Sequence, residues 1–170
     1  MIVFSNTTPF IALASIDQLE LLPQLFDKLY VAESVIDECA EGGRILVPDL
    51  RLLDWVIPVA DEAISILPVL FELDCGERQT IVLARNYGAD RVIIDERLGR
   101  RVAEYLGLNV TGTLGLLAKA KSIGLKAVEA TPNVEQILLD LLTFYSGRPV
   151  GPFGTGQMRP GLQVKMQIAW

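Results

Sequence analysis

Histidine is absent from the 170 residues of this chain. That rules out Ser-His-Asp and Cys-His catalysis, paired-histidine acid/base catalysis and histidine-ligated zinc. Cysteine is nearly absent: Cys39 and Cys75 have no CxxC spacing, so a structural zinc site is not indicated and a reduced, cytoplasmic protein is expected. No apolar run approaches the ~20 residues that span a bilayer, and the N-terminus lacks the basic region and cleavage site of a signal peptide. No membrane association is expected. Basic residues are also the minority, 15 against 21 acidic, for a net charge of −6 and a pI of about 4.7. Such a balance argues against gripping nucleic acid with the whole surface, but not against meeting a phosphate through a metal ion and a local arginine cluster. Carboxylates remain as the chemical resource. A cluster of them favours a hard cation such as Mg2+ or Mn2+.

Hydrophobic residues are abundant, at 51% with a mean hydropathy of +0.37. The excess fits buried parallel strands and a subunit interface. The stretch Asp74 to Thr113 organises the rest. It reads as helix, buried strand, helix, strand. Ile81, Ala84 and Arg85 follow Glu77 at helical spacing, and Val92-Ile93-Ile94 is an apolar run with no polar alternation, as in a parallel sheet covered by helices. Leu98, Val102, Tyr105 and Leu106 then repeat on one predicted helical face that Gly107 ends, before a short strand at Leu108 to Val110. Asp95 and Glu96 follow the central strand, where open α/β sheets place ligands, and Arg97, Arg100 and Arg101 stand beside them.

Taken in order, Ile2 to Phe4 is a strand, followed by a helix that Thr7 or Thr8 can cap with Pro9 in its first turn. A second helix carries Leu19, Leu22, Leu25 and Phe26 with Asp17 as its cap. Leu29 to Val31 reads as a strand, and Glu33 to Glu41 as a helix with Val35, Ile36 and Cys39 inward. Prolines 48, 58 and 68 interrupt the middle, leaving a short helix near Leu50 to Asp54, a strand at Trp55 to Val59 and a helix including Val69 to Leu73. Thr113 opens a helix with Leu114, Leu117 and Ala118 inward and Gly124 as its stop, and Asn133 caps another. Strands alternating with helices predict a three-layer α/β/α fold around a parallel sheet over 1–145. Residues 146–170, dense in glycine and proline, read as a C-terminal tail.

Helix geometry sorts the acids. With about 100° per residue, Glu38 falls roughly 105° from the centre of the Val35–Ile36–Cys39 face, at its edge, whereas Asp37 lies nearly opposite. Glu77 shares the inward face of its helix, an expensive place for an unpaired carboxylate. Plainer readings stand beside these. Glu77 can serve only as a first-turn carboxylate behind an Asp74 cap. Asp95 can merely cap the next helix, Glu38 can be a surface residue, and Asn6 can be a turn residue.

The segments SNTTPFIALASI, DCGERQTIVLA and IIDERLGRRVAEYLGLNVTGTLGLL resemble the PIN-domain family, in particular PIN-like proteins related to VapC toxins, over about residues 1 to 145. The resemblance implies a compact α/β/α fold, three or four carboxylates holding Mg2+ or Mn2+, hydrolysis of RNA, and often a homodimeric toxin paired with an antitoxin protein. By position, the family's first aspartate falls on Asn6, its second acid on Glu38, its third on Glu77 and its fourth on Asp95 or Glu96. Asn6 keeps a ligating oxygen without the charge. Thr8 and Thr113 are the expected supporting groups, and Arg97 and Arg100 the expected RNA contacts. The resulting expectation is a metal-dependent ribonuclease with Glu38, Glu77, Asp95, Glu96 and Asn6 at the metal. The alternative is a catalytically weak PIN fold acting as an interaction module. A phosphatase-like hydrolase finds no DxD motif to support it.

Overall fold

Val3 and Phe4 are fully buried in the first strand, β1 (Val3–Ser5), from which the chain turns straight into α1 (Thr7–Ala14). The computed structural model describes residues 1–43, 45–63 and 68–125. After α1 come α2 (Leu21–Phe26), β2 (Leu29–Ala32), α3 (Glu33–Glu41) and β3 (Val56–Val59), then α4 (Cys75–Asn86) and β4 (Arg91–Ile93). The described part closes with α5 (Arg97–Tyr105), β5 (Val110–Thr111) and α6 (Thr113–Ser122).

All five strands are parallel, in the order β3-β2-β1-β4-β5, and helices cover the sheet in a three-layer α/β/α fold. The apolar run that marked β4 as central is buried throughout, Val92, Ile93 and Ile94 being inaccessible to solvent. Helix α4 packs on β1, β2 and β4 and also touches α3 and α5, while α6 meets α1 and α2. Chain order reverses between β1 and β4. Connections leave these two neighbours in opposite directions, so a crevice opens beyond their carboxyl ends. Register decides what lines it. Ser5 pairs with Ile93, and the Asn6 N–H donates to Ile93 O at 3.0 Å, so Asn6 and the 94–96 segment emerge side by side.

Several local expectations shift. Asn6, not Thr7 or Thr8, caps α1, and Asp17 does not cap α2, which starts after Glu20 with no side-chain cap. The segments near Leu50 and Val69 are single 3-10 turns, Leu50–Leu52 and Pro68–Leu70, too short for the α-helices their spacing suggested. β5 starts two residues later than expected because Asn109 O and Thr111 O, accepting from Val92 and Ile94, set its pairing. The inward residues of α5 are Gly99, Val102 and Ala103, with Leu98 41% and Tyr105 80% exposed. On α6, Leu116, Leu117 and Ala120 are buried and Leu114 and Ala118 are exposed. In α5 the small residues Gly99 and Ala103 let the backbone approach, so the face against the protein is not the one carrying the largest side chains, whereas α6 buries two leucines on a face rotated from the expected one. Gly107 (φ 83°) and Gly124 (φ 65°) do end these helices in the left-handed region. The helix expected after Asn133 and the tail over 146–170 lie outside the described residues.

Truncating fully buried Ile81 of α4 to alanine should cost about 2–5 kcal/mol in urea unfolding, whereas Tyr105→Ala should stay within about 0.5 kcal/mol of the parent.

Candidate active site

β1 ends in a buried polar trio. Ser5 and Asn6 are 0% and 2% exposed, and Thr7 opens α1 at 4%. The Asn6 Oδ1 accepts from the Thr7 N–H at 2.7 Å, while its Nδ2 donates to Glu96 Oε2 at 3.2 Å. The next two hydroxyls each take one acid. Thr7 Oγ1 donates to Glu38 Oε2 at 2.7 Å, and Thr8 Oγ1 donates to Glu96 Oε1.

Two glycines provide the room for these carboxylates. A Cβ on Gly76 would lie 2.8 Å from Glu38 Oε2 and 3.5 Å from Asn6 Oδ1, so both groups press against the first turn of α4. A Cβ on Gly99 would lie 2.6 Å from Glu77 Oε1, so the bare backbone of α5 makes the niche that takes Glu77. Asp74 caps α4 by accepting from the Glu77 N–H at 2.7 Å, which sets Glu77 in the first turn, 5% exposed. Its Oε1 is buried with no hydrogen-bond partner among the described residues. An orphaned carboxylate oxygen of this kind calls for a proton or a cation.

The electrostatics agree. Burial pushes the Glu77 carboxyl up to about 8, and the charges of Asp74, Glu96 and Glu38 add to the effect. Glu96 is raised by burial against the opposing hydrogen bond from Thr8, with Asp95 and Asp74 raising it further. Glu38 is raised by burial despite the Thr7 hydrogen bond. As a residue it is exposed, but its carboxylate end is tucked against Thr7 and Gly76, where desolvation acts. Asn6, Glu38, Glu77 and Glu96 are therefore neighbours at the reversal of strand order.

The adjacent acids Asp95 and Glu96 part company. Glu96 turns to Asn6 and Thr8, whereas Asp95 accepts from the Thr113 N–H at 2.7 Å and from Thr113 Oγ1 at 2.6 Å. Asp95 thus ties the end of β4 to the start of α6, and it does not cap α5, whose cap is Glu96 without a side-chain bond. Thr8 supports the pocket directly, and Thr113 supports it only through Asp95. Arg97 is exposed at the start of α5, and the half-buried Arg100 donates from Nη1 to Ile94 O at 3.0 Å. Two groups went unrecognised in the sequence. In the sequence Asp74 is a cap alone, yet its charge acts on Glu38, Glu77 and Glu96. Thr7, read as a cap, holds Glu38; its place beside Thr8 just after a strand was the available signal.

The donor set is all oxygen, as a hard divalent cation requires, and the orphaned Glu77 Oε1 is a ready ligand. Glu38 and Glu96 are the groups placed to join it, whereas Asn6 Oδ1, expected at the metal, already accepts from the Thr7 N–H. Among the described residues no three acids or cysteines are gathered closely enough to hold a metal ion.

The raised Glu77 pKa has a sign. Its carboxyl ionises near 4.5 in the ordinary case and near 8 when folded, so between those pH values the unfolded chain sheds a proton that the folded chain keeps. Stability contributed by the protonated group is complete below the lower value and is lost as pH rises through the upper one. In chelator, Glu77→Gln should therefore be more stable than the parent at pH 8, with the advantage vanishing near pH 4, as read from denaturant midpoints across that range.

Residues 2–147 match a family described as a PIN domain. No curated protein matches the chain. With a match over most of its length, the chain belongs to the PIN-domain family.

Proposed function

We propose that this PIN domain is a divalent-metal-dependent endoribonuclease whose acids are Glu38, Glu77 and Glu96. PIN domains are nuclease-type folds and generally depend on divalent metal. The observation that carries the reading is the buried, unpartnered Glu77 Oε1 in a pocket shared with two further carboxylates. When bound, Mg2+ or Mn2+ supplies Lewis acidity toward the phosphodiester and an incoming water. The chain's own groups do the rest. Glu77 holds its proton near neutral pH until a cation replaces it. Thr7 and Thr8 aim Glu38 and Glu96, and the Asp95–Thr113 tie fixes the turn that borders them. Arg97 and Arg100, on the first turn of α5, are the RNA-backbone contacts. In this reading Asp95 acts through Thr113 and not at the metal. A role as the toxin of an antitoxin-paired system, a homodimeric state and a cytoplasmic setting belong to the same proposal.

A second reading is a catalytically weak interaction module. Asn6 favours it, since an amide removes one charge from the pocket. The two readings separate in a Mn2+-dependent RNA cleavage assay. Glu77→Gln should lower cleavage by about 100-fold or more, and Asn6→Asp should retain or raise it. Cleavage indifferent to Glu77→Gln would defeat the nuclease reading.

A further inference from the structure

Asn6 sits at the centre of the pocket with both ends of its amide committed. The Thr7 backbone N–H can only donate, so Oδ1 must face it, and Nδ2 is thereby turned to Glu96 Oε2. Thr8 covers the other oxygen of the same carboxylate. Each oxygen of Glu96 thus accepts from an uncharged donor at the start of α1, while Glu77 Oε1 has none among the described residues. Asn6 is also a helix cap, which by itself explains only the Oδ1 contact.

We infer that Asn6 is a positioning residue that holds Glu96 through its amide N–H while the pocket is free of cation, so that a divalent ion must compete with this hydrogen bond to recruit Glu96. The inference rests on the reading of the pocket as a cation site. It follows from the chemistry of the side chain. An aspartate at position 6 has no N–H to give and would set a like charge against Glu96, a conflict that a cation relieves. The asparagine satisfies Glu96 without one. The pocket is therefore stable when empty and loads weakly, so that cation concentration governs how much of the protein is loaded.

Serine separates this role from capping, because it caps a helix as well as asparagine does but is too short to reach Glu96. Unfolding midpoints of the parent, Asn6→Ser and Asn6→Asp are compared in EDTA and at saturating Mn2+, with Mn2+ affinity measured by calorimetry. Both variants should be less stable than the parent in EDTA. The Asn6→Ser deficit should close at saturating Mn2+, corresponding to Mn2+ binding about tenfold tighter than in the parent by the loss of a charge-assisted hydrogen bond. A deficit equal in EDTA and Mn2+, or no deficit at all, overturns the role assigned to Asn6 while leaving the cation site standing. Absence of Mn2+ binding in all three proteins overturns the cation reading itself, and this inference with it.

Discussion

Crowding of carboxylates in a desolvated crevice is the constraint around which this molecule is arranged. Glu77 is buried by α5 closing over it at Gly99, and the charges of Asp74, Glu96 and Glu38 act on it through space. Left alone, such a group opposes folding, because an ionised carboxylate loses hydration that nothing among the described residues replaces at Oε1. The chain answers with neutral donors for Glu38 and Glu96 and with a retained proton for Glu77. A divalent cation is the remaining counterweight that the donor chemistry admits.

The sheet makes the crowding possible at modest backbone cost. Parallel strands β1 and β4 deliver Asn6 and Glu96 to the same edge in register, and helices α1, α4 and α5 all begin there. Three helix N-termini bring partial positive charge to the crevice, which offsets part of the repulsion among the acids. The same arrangement explains why glycine stands at 76 and 99. Each lies where a helix backbone and a carboxylate oxygen come closer than any side chain would allow.

Much of this architecture was legible in one dimension. The apolar run of β4, the glycine stops after α5 and α6, and the inward placement of Glu77 follow from periodicity and backbone preference. The failures share a cause. Tyr105 and Leu98 fit an amphipathic pattern, yet α5 turns Gly99 and Ala103 inward because α4 and Glu77 need the close approach. The sequence leaves Asp95 and Glu96 as alternatives because consecutive residues leaving a strand face opposite ways, and it does not say which way the crevice lies. Asp74 looked complete as a cap, since its reach to three other acids depends on elements far away in the chain.

By itself the sequence determined the chemical vocabulary: no histidine, an excess of carboxylates, and apolar strands that only a helix-covered parallel sheet can bury. Those are properties of composition and short-range periodicity, and they hold in any conformation. Which acid faces the crevice, which one keeps its proton and which hydroxyl holds which oxygen were decided by the tertiary structure alone. Desolvation and through-space charge depend on distances between residues that are 30 to 90 positions apart, as in Thr7 to Glu38 and Asn6 to Glu96, and a linear pattern carries no record of those distances.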